Sequence, residues 1–137
     1  MKFSLTVISL PFLSVVLAVN IRYDTVYDNS TSSLSTVTCS DGANGLLTKG
    51  FITFGSLPSF PDIGAAQVVG GWNSTACGTC WQIKYEGKSI SITAIDTNKD
   101  GFSLSLEAVN TLTNGHAEKL GVIDGQPTQV DKSHCGL

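Results

Sequence analysis

The four cysteines of this chain, Cys39, Cys77, Cys80 and Cys135, constrain its fold more than any other feature of the sequence. An even number of cysteines in a small exported protein indicates a disulfide framework, and four cysteines can pair in three ways. A chain of 137 residues buries only a modest core, so covalent cross-links would add useful stability. The compartment in which the chain folds therefore decides how these cysteines are interpreted.

The amino-terminal segment has the features of a secretory signal peptide. Lys2 supplies a positive charge, residues 3–16 are mostly apolar, and Ala18 is a small residue at the expected cleavage position. This apolar run is shorter than the roughly 20 residues that span a bilayer, and no second run follows. We therefore expect residues 1–18 to be removed and residues 19–137 to form one secreted domain, either extracellular or associated with the cell wall.

The charges of the chain are few and scattered. The formal net charge is −3, and no basic stripe is present that would neutralise nucleic-acid phosphates. We therefore expect neither nucleic acid nor a membrane as a partner. The tripeptides Asn29-Ser30-Thr31 and Asn73-Ser74-Thr75 are N-glycosylation sequons, which are typical of a eukaryotic secreted surface. Asn29 and Asn73 are accordingly candidate glycosylation sites.

Alternating and β-branched segments predict a mainly β fold. Strands are predicted over residues 21–26, 35–39, 81–85, 89–95 and 127–131, with a hairpin turn at 86–88. A helix is predicted over residues 106–113, with Ser105 as its N-cap and Asn114-Gly115 as its stop. A short helical turn is considered over 64–69, and residues 50–61 are interpreted as a long loop. These elements favour a small β-rich barrel over a helical bundle.

The segment Cys77-Gly78-Thr79-Cys80 is compatible with three kinds of chemistry. In a cytosolic α/β protein, two cysteines at this spacing form a redox pair. With two further ligands they could bind zinc, and the available ligands are Cys39, His116, His134 and Cys135. In an exported chain, each cysteine more simply bonds to a distant partner. The predicted export favours this last interpretation.

The segment from Asp96 to Glu107 matches the calcium-binding loop of an EF-hand. Asp96, Asn98 and Asp100 could supply oxygen ligands, Gly101 could form the sharp turn, and Glu107 could close the site. An EF-hand loop follows a helix, however, whereas the residues before Asp96 alternate like a strand. We therefore interpret the segment as a polar turn after a strand and expect no metal.

Several side chains are of the types that bind sugars, because sugars offer apolar C–H faces to aromatic rings and hydroxyl groups to polar atoms. They are Tyr23, Asp24, Tyr27, Asn44, Trp72, Trp81, Asp96 and Phe102. Trp81 lies within a predicted strand, and we expect it to pack in the core. Asp96 could act as the general acid of a glycosidase, but the sequence singles out no second carboxylate. No nucleophile motif is present, and His116 and His134 are expected on the surface.

The order of these motifs resembles the cerato-platanins, a family of small secreted fungal proteins. The matching segments are Tyr23-Asp24, residues 39–46, residues 60–64, Gly71-Trp72, Cys77-Gly78-Thr79-Cys80-Trp81, Ile95-Asp96, Gly101-Phe102 and Gln129-Val130-Asp131 with Cys135. Of these, Gly71-Trp72 followed by the segment from Cys77 to Trp81 is the most specific. The matches run in family order from residue 23 to residue 135.

The resemblance implies a mainly β fold, a six-stranded double-psi β-barrel with short helices and the disulfides Cys39–Cys77 and Cys80–Cys135. It implies no cofactor and no catalytic residue. The implied function is binding of chitin or N-acetylglucosamine oligomers, or of cellulose and other plant wall glycans. Expansin-like loosening of cell walls and elicitation of plant defence through a plant receptor also follow from it.

The shallow groove of the family maps onto seven residues of this chain, namely Tyr23, Asp24, Asn44, Gly45, Asp96, Gly101 and Phe102. Two other functions remain open from the residues themselves. One is a weak glycoside hydrolase that uses Asp96 as its acid. The other is a surface-active monomer that self-assembles at interfaces.

Overall fold

The structure is a computed structural model that describes residues 17–137. The predicted signal peptide, residues 1–18, lies almost wholly outside the described residues. Six strands form a closed barrel: β1 (Val19–Tyr23), β2 (Ile63–Ala66), β3 (Cys80–Tyr85), β4 (Lys88–Thr97), β5 (Phe102–Leu104) and β6 (Val122–Val130). Around the barrel the order is β1-β5-β2-β4-β3-β6, with β1 parallel to β5 and β2 parallel to β4. The prediction of a mainly β, six-stranded double-psi barrel is confirmed.

The hairpin of β3 and β4 forms as its alternating pattern predicts. Tyr85 pairs with Lys88, so the loop between them is the dipeptide Glu86-Gly87. Both residues have positive φ, at 44° and 79°, which is the backbone of a type I′ turn that suits the twist of two strands. Alternate residues such as Ile83 and Ile92 are fully buried, and they form part of the core inside the barrel.

Two predicted elements are wrong. Residues 35–39 do not form a strand, because the Ser33 hydroxyl accepts the backbone N–H of Ser35 and starts a 3-10 helix over Leu34–Thr36. Residues 64–69 do not begin a helix, since Ile63–Ala66 is strand β2 and is buried along its whole length. A Cβ on Gly64 would overlap the carbonyl oxygen of Ser103 on β5, so only glycine fits there. The demands of the barrel thus override local helix propensity.

The predicted strand over 127–131 is the second half of a longer strand, β6, which begins at Val122 and ends at Val130. The predicted loop over 50–61 contains a short 3-10 helix over Phe54–Ser56. A second α-helix, α2 (Ala117–Leu120), escapes prediction because it is only one turn long.

The predicted helix is present as α1 (Leu106–Thr113). Its N-cap is Ser105, whose Oγ accepts the N–H of Ala108 at 3.0 Å, and it ends at Asn114 in the left-handed conformation. A second cap comes from far along the chain. The carboxylate of Asp28 accepts the N–H groups of Leu106 at 2.7 Å and Glu107 at 3.0 Å. Asp28 ends a 3-10 helix over Thr25–Asp28, which we call the first 3-10 helix.

The disulfides of the structure are Cys39–Cys77 and Cys80–Cys135, with Cα–Cα distances of 5.4 Å and 5.8 Å. These are the pairs that the resemblance implies, and they leave no free cysteine among residues 17–137. Cys77 and Cys80 are therefore neither a redox pair nor half of a zinc site. The part of the chain that the structure describes contains no group of three His, Cys, Asp or Glu side chains that could hold a metal ion. Over the same residues, no helix combines the length and apolarity needed to cross a membrane.

Candidate functional site

Asp96 lies near the end of β4, half-exposed, where the barrel meets the long connection between β1 and β2. Its Oδ1 accepts the N–H and the hydroxyl of Thr38, at 3.0 Å and 2.7 Å, and the N–H of Thr97 at 2.9 Å. Among residues 17–137, its Oδ2 accepts only the hydroxyl of Tyr27, at 2.9 Å. Because a carboxylate oxygen can accept about two hydrogen bonds, Oδ2 has room for one further donor. The carboxylate is thus held in one orientation, and one acceptor position of Oδ2 is not taken by any group of the described residues.

Tyr27 is the buried hydrogen-bond donor to this carboxylate. Its side chain is 6% exposed, and its ring packs against Phe54 with 6.2 Å between the ring centroids. Burial, together with the negative charges of Asp96 and Asp24, holds the pKa of Tyr27 well above its usual value. The phenol therefore keeps its proton and remains a hydrogen-bond donor to Asp96 at any physiological pH.

Asp24 is the exposed member of the same group of side chains. It caps the first 3-10 helix, where its Oδ1 accepts the N–H of Val26 at 3.0 Å. Its negative charge contributes to the raised pKa of Tyr27, so the two side chains are close enough to interact. We call Asp24, Tyr27, Thr38 and Asp96 the Asp96 cluster. Sequence reasoning placed Tyr27 among the sugar-binding types but not in the groove, although the repeated Tyr-Asp pairs at 23–24 and 27–28 mark it.

A second group of residues adjoins the Asp96 cluster through Cys39, which follows Thr38 and donates its N–H to Ile95 at 3.1 Å. This group comprises residues 39–46 and 71–77, which the Cys39–Cys77 disulfide joins, and we call it the Trp72 loop pair. Asn44 connects the two loops. Its N–H donates to Asn73 Oδ1 and its side-chain amide donates to the Asn73 carbonyl, both at 2.9 Å.

Trp72 is the most exposed aromatic side chain described, at 63% of its surface. Its indole N–H donates to Asp41 Oδ1 at 2.6 Å, and this hydrogen bond is the main reason that the pKa of the Asp41 carboxyl lies below its usual value. The indole also lies against Gly42, where an added Cβ would be 3.0 Å from the ring. An apolar surface is therefore presented to solvent in a fixed orientation, which is how proteins present aromatic rings to sugars.

The other predicted groove residues have different surroundings. Tyr23 is half-exposed at the end of β1, whereas Gly45, Gly101 and Phe102 are buried. Gly101 has φ of +61°, and a Cβ there would overlap the carbonyl oxygen of Asn20. Phe102 packs edge-on against Trp81 with 5.9 Å between the ring centroids. These buried residues shape the backbone beneath the site, and Phe102 does not present its ring to a ligand.

The EF-hand-like segment forms a polar turn between β4 and β5. Strand β4 extends to Thr97, so the helix that precedes an EF-hand loop is replaced by a strand. Two side-chain oxygens of the turn accept hydrogen bonds from other side chains. Asn98 Oδ1 accepts from Ser103 at 3.3 Å, and Asp100 Oδ2 accepts from Asn20 at 2.7 Å. The structure thus has the polar turn that the alternating pattern before Asp96 indicates.

A further pair of acidic residues, to which the sequence did not point, consists of Asp62 and Glu107. Burial and then the negative charge of Glu107 raise the pKa of Asp62 to about 6. Asp62 borders a depression of about 390 Å³ that Ser59 and the exposed His134 also line. A larger depression of about 800 Å³ lies beside the Glu86-Gly87 turn, at the opposite end of β4 from Asp96. Neither depression contains a residue predicted to bind sugar.

The fold and site together define a class of protein. Its members are small β-barrels cross-linked by two disulfides, with an ordered carboxylate and an exposed indole on adjoining groups of residues. The model of the cerato-platanin family matches residues 19–137, and this chain belongs to the cerato-platanin family. The family resemblance in the sequence is thereby confirmed. Cerato-platanins are secreted fungal proteins with elicitor-like members.

The chain is similar to relatives along nearly its whole length. It is 37% identical over 136 residues to the cerato-platanin of Ceratocystis fimbriata f. sp. platani, covering 98% of this chain and 96% of that protein. It is 43% identical over 145 residues to the heat-stable 19 kDa antigen of Coccidioides immitis (strain RS), covering 100% and 99%.

Two solved structures show how closely the fold is shared. The crystal structure of cerato-platanin 3 from M. perniciosa is 50% identical, with a TM-score of 0.85 over 88% of this chain and 100% of that one. The solution structure of the fungal elicitor Cerato-Platanin is 34% identical, with a TM-score of 0.76 over 85% and 95%.

Proposed function

We propose that this chain is a secreted, non-catalytic carbohydrate-binding protein whose ligands are N-acetylglucosamine oligomers or related cell-wall glycans. The observation that carries the proposal is the Asp96 carboxylate, which four hydrogen bonds hold in place while Oδ2 keeps an open acceptor position. A sugar hydroxyl or an acetamido N–H would donate to that position. The exposed indole of Trp72, on the adjoining loop pair, would take the apolar face of a sugar ring.

The same geometry favours binding over hydrolysis. A glycosidase needs one carboxyl group that delivers a proton and a second that acts as nucleophile or base, about 5 to 9.5 Å apart. Asp96 accepts from four donors, an arrangement that suits the holding of a ligand hydroxyl rather than the delivery of a proton. Asp24, the other carboxylate of the cluster, already accepts the N–H of Val26 as a helix cap.

Binding without cleavage would let the protein act on cell walls in an expansin-like manner, by competing with contacts between glycan chains. It would also leave the protein intact in plant tissue, where a receptor could detect it. The similarity to a solved fungal elicitor, at 34% identity, supports this second role. We propose that the chain both binds wall glycan and elicits plant defence.

Titration of the oxidised protein with N-acetylglucosamine oligomers, followed by amide chemical shifts, tests the binding proposal. We expect shifts concentrated at Tyr27, Thr38 and Thr97, and a loss of affinity of about tenfold or more in Asp96→Asn, because a hydrogen bond to a charged group is worth about 1.5–3 kcal/mol. Asp100→Asn is the matched control, since Asp100 is exposed on the neighbouring turn and outside the cluster. Unperturbed amides in the Asp96 cluster at millimolar oligomer would refute sugar binding there.

Two further measurements separate the proposed roles from the alternatives. Release of reducing ends from chitin or β-glucan that disappears in Asp96→Asn would establish a hydrolase instead. Leaf infiltration with wild-type protein and Asp96→Asn compares elicitation with sugar binding. Equal defence responses to the two proteins would show that plants detect a surface other than the Asp96 cluster.

A further inference from the structure

The two sequons of the chain occupy different structural settings, and we propose that Asn29 carries an N-linked glycan whereas Asn73 remains unmodified. This inference rests on export of the chain, which is part of the proposed function, and goes beyond it to a modification site. Both sequons satisfy the same sequence rule, so the difference comes from the fold alone.

Asn29 is presented to solvent. Residues 29–31 are all exposed, and Asn29 follows the first 3-10 helix in an extended conformation, with φ −85° and ψ 103°. Its Oδ1 accepts the N–H of Thr31 at 3.1 Å and the Thr31 hydroxyl at 2.8 Å. Within residues 17–137, its Nδ2 donates to no protein group, so the nitrogen that would carry the sugar is accessible.

The contact with Thr31 also suits the chemistry of the modification. A hydroxyl that donates to the amide oxygen draws electron density toward it and eases loss of a proton from Nδ2. The donor would be an oligosaccharide linked through a diphosphate to a lipid. The Nδ2–C1 bond forms as the bond from C1 to the diphosphate oxygen breaks, the diphosphate leaves with the electron pair, and the amide proton passes to a base of the transferase.

Asn73 joins the two loops of the Trp72 loop pair. It adopts the left-handed conformation, with φ of 60°, and its side chain is only partly exposed. Its Oδ1 accepts the N–H of Asn44 at 2.9 Å, and a Cβ on Gly42 would be 2.8 Å from the same oxygen. The disulfide Cys39–Cys77 ties both loops at their base, so they cannot easily separate.

The geometry of a glycosylated amide explains why the surroundings of Oδ1 decide which of the two asparagines can carry a sugar. A secondary amide is almost always trans, which places the sugar C1 on the same side of the C–N bond as Oδ1. At Asn73 that side faces Gly42 and Asn44, so a sugar would displace one loop from the other. At Asn29 the donors to Oδ1 both belong to exposed Thr31, so a sugar there would separate no loops.

The location of the glycan matters for the sugar site. Asn73 is the neighbour of Trp72, so a glycan there would cover the exposed indole. Asn29 lies two residues beyond Tyr27 and next to Asp28, which caps α1. A glycan at Asn29 would therefore project from the edge of the Asp96 cluster and leave the Trp72 loop pair free.

To test the proposal, the full chain is expressed in a fungal secretory host. The glycan-bearing asparagines are then mapped in the protein recovered from the medium. Peptide N-glycosidase in ¹⁸O-labelled water converts each glycan-bearing Asn to labelled Asp, which peptide mass spectrometry identifies. Two variants remove one sequon each while keeping both asparagines, namely Thr31→Ala and Thr75→Ala. We expect one glycan in the wild type, complete loss of it in Thr31→Ala and no change in Thr75→Ala.

A glycan that survives in Thr31→Ala, or label at residue 73, would overturn the proposal. So would an unmodified Asn29 in secreted protein when a sequon-bearing control from the same culture is modified. A chain retained inside the cell would overturn export, and with it the secreted function. A secreted but unmodified chain would overturn the glycan assignment alone.

Discussion

The barrel and the long connection between β1 and β2 are stabilised by different means. The barrel strands carry alternating or fully buried patterns, and every strand pairs with two neighbours. Residues 24–62 contain no strand of the barrel, yet they supply Asp24, Tyr27 and Thr38 to the Asp96 cluster. Their order depends on the Cys39–Cys77 disulfide, on polar contacts to β4 and α1, and on side chains such as Leu34, Leu46 and Phe54 that are buried in the shared core. The binding surface is thus the less self-sufficient region of the molecule.

The largest expected effect comes from removing one disulfide at a time. The disulfides join cysteines 38 and 55 residues apart, and chain entropy gives each a similar contribution of up to about 4 kcal/mol to the free energy of unfolding. We expect Cys39→Ala/Cys77→Ala and Cys80→Ala/Cys135→Ala to lower the denaturant midpoint by comparable amounts. Only the first pair should abolish sugar binding under conditions where both variants are folded. Equal losses of binding would erase the distinction between the two regions.

Asp62, which ends the long connection, provides a pH-dependent test of intermediate size. Its folded pKa of about 6 exceeds the model-compound value of 3.8, so the folded chain retains a proton that the unfolded chain loses between these values. The free energy of unfolding should therefore fall as pH rises from about 4 to about 6, by about 1–2 kcal/mol after allowance for the partial exposure of Asp62.

The variant Asp62→Asn should remove most of this slope. Chemical denaturation at a series of pH values measures it, with Asp100→Asn as the control because Asp100 is an exposed carboxylate. An unchanged slope in Asp62→Asn would mean that Asp62 is not the titrating group.

The smallest expected change in stability comes from the exposed contact between Asp41 and Trp72. Asp41→Ala removes the acceptor that orients the indole, so sugar affinity should fall while the melting temperature stays the same. Fluorescence of Trp72 in a Trp81→Phe background reports both the orientation and the binding of the indole. Undiminished affinity in Asp41→Ala would show that the indole needs no fixed orientation.

How much of the fold the sequence predicts depends on whether the signals that specify an element are local. The β3–β4 hairpin and α1 are predicted because their periodicity, turn residues and caps lie within a few residues of each other. Strand β2 could not be predicted, since its Gly-Ala-Ala composition reflects the close approach of β5 and not a local preference. The predicted strand over 35–39 failed because Ser33 starts a 3-10 turn that outweighs the β-branched residues after it.

The candidate site was predictable only in part. Asp96 stands out as a carboxylate after an alternating strand, and the family resemblance points to it as well. Its partners Tyr27 and Thr38 are 69 and 58 residues away in sequence, and no local pattern links them to it. The burial of Phe102 was equally hidden, because an aromatic residue beside a polar turn could face either solvent or the core.

Closure of the barrel has a consequence for how copies of this protein can associate. An open sheet exposes unpaired backbone N–H and C=O groups, which recruit strands from other molecules and seed fibres. Each strand here is hydrogen-bonded on both sides, so the folded barrel presents no such template. Films or clusters of the native protein would be held by side chains and loops rather than by shared strands.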